Sequence, residues 1–412
     1  MKDWSTHPLR QAAAVLCMAA LAVVAACGGG GSSSPAGFGP TVQATAFSQG
    51  PISGFGSVIV NGVRWDDSGA EVEDEDGAGH PSSDLKLGMV VTVDGASVDR
   101  HSGTGKALKI RFGSETVGPI TSVDAAGSTF VVLGITVTVN ASTVFDASIG
   151  GGIAGLAADQ VVEVHGLFDA ATNGITATRV EPESGATAYK MRGTIGSVDL
   201  AGKTFLLGNQ KVSFASLATL PSWVVEGAQA KAVLATTPDS AGNWVATRLR
   251  PIGTSLDNRA EAEVEGSITV FDSPTDFEVN GLKVDTSKAT LPADTAGLVL
   301  GAHVEVKGAI VGGVLVATSV KLDDDGHDGS GGDDHGGGTA REFELHGTIA
   351  TGSLDLAAKT FSLRGITVSF AGTVEFKDGT VADLVEGAQL EVKGVLSSDG
   401  TRLDATRIEF GK

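Results

Sequence analysis

From about residue 50 to the end of the chain, apolar and polar residues alternate in short runs, and pairs of turn-forming residues interrupt the runs. Phe277 and Val279 precede Asn280-Gly281, and Leu282 and Val284 follow it. Val58 and Val60 likewise precede Asn61-Gly62, with Val63 and Trp65 behind it. The apolar phase flips across the two intervening residues, as it must when both strands of a tight hairpin face one core. Asn-Gly is the favoured pair for a turn whose central residues take positive φ. Leu133-Gly134, Gly208-Asn209 and Arg364-Gly365 stand at the same point of three further stretches. The phase also predicts that Trp65 is a core residue.

Each hairpin lies inside a longer unit that opens with a Gly-x-Ile step, at Gly50, Gly118, Gly193, Gly266 and Gly347. Successive starts are 68, 75, 73 and 81 residues apart, which marks internal repetition. After the hairpin comes a less regular stretch, such as 147–159 or 377–386, with room for a helical turn. A second strand pair closes the unit. Its first strand reads Val161-Val162-Glu163-Val164-His165, His303-Val304-Glu305-Val306-Lys307 or Gln389-Leu390-Glu391-Val392-Lys393; the second reads Ala177-Thr178-Arg179-Val180 or Ala405-Thr406-Arg407-Ile408. Three strands, an insert and two strands is the order of the oligonucleotide/oligosaccharide-binding (OB) type of Greek-key barrel, and an open sandwich or meander would share that order. The predicted fold class is all-β: five tandem OB-like barrels of about five strands each, over 49–115, 116–184, 188–252, 259–322 and 342–412, with an acidic linker at 323–341.

The first residues follow a different pattern. Lys2 and Arg10 precede an apolar run from Ala12 to Ala26, too short for the roughly 20 residues of a membrane-spanning helix. A basic start, a short apolar stretch and small residues describe an export signal over 1–26. Val24-Ala25-Ala26-Cys27-Gly28 resembles the bacterial lipobox, whose cysteine is acylated and becomes the first mature residue. Cys17 would leave with the signal, so Cys27 is the sole cysteine of the mature chain and no intramolecular disulfide can form. Residues 27–48 then read as the lipidated Cys27 and a Gly/Ser-rich tether. Gly28, in place of an aspartate, resembles lipoproteins sorted to the outer membrane.

Charge narrows the function further. The net charge is −20, and losing residues 1–26 makes it one unit more negative. Such a chain repels phosphate backbones, and with one tyrosine, Tyr189, it has few stacking platforms, so no nucleic-acid partner is expected. The candidate metal ligands are Asp323, Asp325, His327, Asp328, Asp334 and His335 of the linker. Carboxylates there suit hard cations and histidines suit transition metals, so weak divalent-metal capture is the one cofactor expectation. EF-hand spacing is not met, because Asp334 stands where a glutamate is required. The run Glu71-Val72-Glu73-Asp74-Glu75-Asp76 reads as a solvated loop. Glu163, Glu305 and Glu391 read as solvent-facing residues between inward valines, and His165, His303 and His346 as ordinary surface histidines. Trp223, after Pro221 in a loop region, is the candidate ligand-binding aromatic. No Ser/His/Asp arrangement, Gly-x-Ser-x-Gly elbow, phosphate loop or CxxC is present, so no enzyme is predicted.

The lipobox, the opening Ser53-Gly54-Phe55-Gly56-Ser57-Val58-Ile59-Val60-Asn61-Gly62-Val63 and the Glu-Val-x-Gly strand together resemble a domain-of-unknown-function repeat family of proteobacterial lipoproteins. The first unit carries the resemblance best; the third departs, with Ala230-Lys231-Ala232-Val233 in place of the Glu-Val strand. The resemblance implies an address and an architecture but no activity. The expected function is therefore a lipid-anchored structural or interaction module of the cell envelope, built as a semi-extended stalk or adaptor. A glycan- or peptide-binding lipoprotein and a metal-binding one using the linker are the alternatives. Partners would be the membrane, through Cys27, and an envelope protein or glycan.

Overall fold

The predicted hairpin turns form as their residues allow. Asn61-Gly62 and Asn280-Gly281 both take positive φ at each position, and so do Leu133-Gly134 and Arg364-Gly365. In the remaining pair Gly208 alone has positive φ, the arrangement of a turn with glycine first. The flanking residues pair as the phase flip requires, Val60 with Val63 and Val279 with Leu282. The protein is described by a computed structural model covering residues 44–99, 101–253, 256–293, 295–322 and 341–411.

The hairpins are built into closed circuits. In the second segment Thr116–Asp124 pairs with Thr129–Val132, which pairs with Ile135–Thr138; that strand runs parallel to Gly174–Pro182. Val161–Asp169 then joins Gly174–Pro182 back to Thr116–Asp124, so the order around the barrel is one, two, three, five, four and back to one. The same circuit runs through 46–112, 189–251, 259–322 and 342–410; in the last, strands one and two meet through the Ile349–Leu363 bridge. Closure leaves small OB-like barrels whose remaining open edge lies along part of strand one. The irregular stretch after strand three holds a single 3-10 turn in four of the segments, at Ser82–Asp84, Gly152–Gly155, Thr295–Gly297 and Val381–Asp383.

Inward-facing residues fill each barrel: Val162, Val164 and Val180 of the second are fully buried, as is Trp65 of the first. Glycine makes room for that indole. A Cβ on Gly95 would lie 2.1 Å from Trp65 Cζ3, and one on Gly105 2.7 Å from the same atom. The apolar clusters do not stop at barrel walls. One spans the first and last segments, another the second and third.

The expectation of a semi-extended string is corrected here, because the described residues form one compact unit. Ala46–Phe55 is long enough to pair beyond its own barrel. It runs parallel to Arg259–Ser273 along Ala46–Gln49 and to Glu342–Thr348 at Gly54 and Phe55. Thr116–Asp124 likewise pairs with Tyr189–Asp199. Backbone donors and acceptors that a lone barrel would leave to water are thereby satisfied by neighbours.

Candidate functional site

Residues that point out of a barrel do not all point into water. The outer faces of strands one, four and five meet those of neighbouring barrels, and the alternation that buries valine inward brings charge together between barrels. The first barrel is ion-paired to each of the others. Lys86 meets Glu181 of the second at 3.0 Å. Glu75 holds Lys190 and Lys231 of the third, both at 2.7 Å, and Asp76 holds Arg248 and Arg250. Asp94 meets Arg259 of the fourth at 2.7 Å, and Arg64 meets Glu344 of the fifth at 2.6 Å.

This overturns the reading of 71–76 as a solvated loop. Glu71–Asp74 is a strand running parallel to Thr104–Phe112, and Glu73 is buried against Lys109 and Arg111. Burial would raise the Glu75 carboxyl, but the charges of Lys231 and Lys190 hold it down at about 2. The like charges written side by side in sequence are separated in space by cations from elsewhere in the chain.

The glutamates and histidines read as surface residues are corrected too. Glu305 is buried, and Glu163 and Glu391 are partly so. His165 has no exposed surface. Two clusters result. In the first, His165 Nε2 lies 3.5 Å from Glu181 Oε1 and 3.9 Å from Glu163 Oε1. Glu163 and Glu181 are direct cross-strand partners, a placement that repels unless something positive lies between them. Burial pushes Glu181 up, but the facing His165 and Arg179 hold it well below the usual carboxylate range. Glu183, close by, is raised by burial and by the charges of Glu163 and Glu181. In the second cluster, His346 Nε2 is 2.5 Å from Glu344 Oε1 and 3.8 Å from Glu391 Oε2. Glu344 is already engaged by Arg64 and Lys393, and despite burial these, with His346, keep it at about 2. A third arrangement places Lys307 between Glu263, at 2.9 Å, and Glu305, at 2.8 Å.

Clefts open between barrels. One of them, about 310 Å³, is lined by Glu75, Arg111, Glu115, Arg192, Lys231 and Arg250 among others. Its cations are already matched by carboxylates, as Arg192 is by Glu115 at 2.8 Å. Trp223 is half-buried against the core of the second and third barrels and lines a cleft of about 230 Å³ with Gln229, Ile252 and Glu278. Cys27 and the linker residues Asp323, Asp325, His327, Asp328, Asp334 and His335 lie outside the described residues. The outer faces of the hairpins expose Thr136, Thr138, Lys211, Lys283 and Thr367.

The fold and these clusters define an assembly of small OB-like barrels joined by partly buried ion pairs. Within it, residues 117–181, 265–321 and 346–409 match the family model of a domain of unknown function, DUF5666. The matched segments lie in the second, fourth and fifth barrels and not in the first, where the sequence resemblance was strongest. No curated protein matches the chain.

The clusters left one signal in the sequence. Only the second unit combines Glu-x-His in strand four with Arg-x-Glu in strand five, as Glu163-Val164-His165 and Arg179-Val180-Glu181. Reading the outer face as solvent hid it.

Proposed function

We propose that this protein is an exported, lipid-anchored protein of the bacterial cell envelope, delivered to the outer membrane, and that its barrel assembly serves as a non-catalytic interaction module. The observation that carries the reading is Val24-Ala25-Ala26-Cys27-Gly28 behind a short apolar run, followed by a Gly/Ser tether. Acyl chains on Cys27 would hold the chain at a membrane, with multiple chains giving a stable anchor. The body behind the tether suits a presented surface: its barrels are locked to one another by strand pairing and ion pairs, so a partner would meet a fixed arrangement and not a set of hinged beads.

Intact-mass analysis of membrane-fractionated wild type and Cys27→Ser tests the anchor. The expected result is a mature chain beginning at Cys27, carrying acyl chains, in the membrane fraction for wild type only. An unmodified, soluble wild-type chain would remove the anchor from the reading.

A second reading, a glycan- or peptide-binding lipoprotein, is favoured by Trp223. Its ring borders the cleft with Gln229 and Glu278, an apolar plane beside hydrogen-bonding groups. Binding on a glycan array that disappears in Trp223→Ala would establish it, and array signals equal for both proteins would discard it.

A further inference from the structure

The histidine of the Glu163–His165–Glu181 cluster is held as metal-binding histidines are held. Its Nδ1 lies 3.1 Å from the Gly113 carbonyl oxygen, an acceptor only. Nδ1 therefore carries a proton, so it is Nε2 that would give up its proton and turn a lone pair to an ion. That Nε2 is fully buried and makes no hydrogen bond; Glu181 Oε1, facing it, is buried and makes none either. At 3.5 Å the two atoms stand at ion-pair distance without a hydrogen bond, so either a proton on Nε2 or a cation in its place must offset their burial.

The spacing suits an ion. Ligands at zinc distances of about 2.0–2.2 Å in a tetrahedron stand about 3.4 Å apart. The three candidate donor atoms all fall within 4.8 Å of one another, with Nε2 3.5 and 3.9 Å from the two carboxylate oxygens. The remaining oxygen of Glu181 is taken by Arg179 at 3.1 Å and Lys86 at 3.0 Å, which orient the carboxylate and leave Oε1 to point at the histidine. Glu163, 22% exposed, forms the rim through which an ion would arrive.

The comparable cluster in the fifth barrel lacks these features. There the Nε2 of His346 already contacts Glu344 Oε1 at 2.5 Å, and that oxygen also accepts from Arg64. It is a satisfied ion-pair network.

We infer that Glu163, His165 and Glu181 bind one divalent first-row transition-metal ion, through His165 Nε2 and one oxygen from each glutamate, with a further position open to water. One nitrogen and two carboxylate oxygens favour an ion of the zinc or manganese kind over calcium, which takes six to eight oxygens. This inference does not depend on the membrane anchor.

The test must separate this site from the Asp/His linker. Full-length chain carrying D323N, D325N, H327Q, D328N, D334N and H335Q is titrated with ZnCl2 by calorimetry and with Co²⁺ by visible absorption. The same measurements are made after adding His165→Gln or, at the rim, where folding is least at risk, Glu163→Gln. The expected result is one equivalent bound by the linker-substituted chain, weakened at least roughly tenfold by either further substitution and unchanged by His346→Gln. The Co²⁺ absorption should vanish with His165. No binding by the linker-substituted chain at millimolar zinc, or binding indifferent to both His165→Gln and Glu163→Gln, would overturn the assignment.

Discussion

Replacing Glu75 by glutamine tests whether the acidic run of the first barrel clamps the third. The side chain is 17% exposed and reaches Lys190 and Lys231 at 2.7 Å each. Glutamine preserves its size but not its charge, and leaves two lysines beside a neutral amide. The carboxyl falls from an ordinary 4.5 to about 2 in the folded chain. At about 1.4 kcal/mol per tenfold change in proton affinity, that is about 3 kcal/mol of stabilisation at neutral pH. Breaking a buried ion pair from one side costs about 3–5 kcal/mol, which agrees. Because the folded carboxyl is the stronger acid, its contribution is complete above the unfolded value of 4.5 and drains away as pH falls toward 2. Near pH 3 about 1 kcal/mol should remain. Urea unfolding followed by tryptophan fluorescence reads the first barrel through Trp65 and the third through Trp223 and Trp244. Hydrogen exchange over Gln229–Leu234 reads the clamped strand directly. We expect Glu75→Gln to unfold at lower urea at pH 7, with faster exchange there, and the gap from wild type to narrow at pH 3. A variant within 0.5 kcal/mol of wild type at pH 7 (about a twofold change in equilibrium), or a gap that does not depend on pH, would refute the clamp.

Other outcomes follow from the same geometry. Gly95→Ala drives a Cβ to 2.1 Å from the rigid Trp65 ring, so it should destabilise by about 1–3 kcal/mol and alter Trp65 emission, measured by thermal unfolding. An unchanged melting temperature would mean that the strand yields easily at its bulge. Glu263 is raised by burial and by Glu305 in spite of Lys307, so it favours folding at low pH and opposes it as pH rises through its folded value. Glu263→Gln should therefore be as stable as wild type or more so at pH 8, and a clear loss of stability in urea melts would show that both carboxylates are needed by Lys307. Arg64→Met should remove the Glu344 partner and loosen the fifth barrel, seen as faster hydrogen exchange across Glu342–Thr348; unchanged exchange would make that pair dispensable.

Much of the local structure was legible along the chain, and for definite reasons. The phase flip across Asn61-Gly62 and Asn280-Gly281 specifies hairpins, because period-two alternation fixes which side faces a core and those residues tolerate positive φ. Trp65, in phase with Val63, goes to the core by the same logic. The strand order follows from counting such runs, and with it the barrel. What alternation cannot say is what the other side faces. Glu163, His165, Glu305 and the run 71–76 look like solvated residues because they alternate with valines. Only the approach of other barrels, 77 and 280 residues away in sequence for the pairs Arg192–Glu115 and Arg64–Glu344, brings such outer faces together. Burial of charge is a property of two surfaces meeting, so one strand's pattern cannot encode it. The chain thus determined its barrels through local periodicity, while tertiary structure alone decided that they lock together around Ala46–Phe55 and that the strand pair carrying Glu163, His165 and Glu181 is buried.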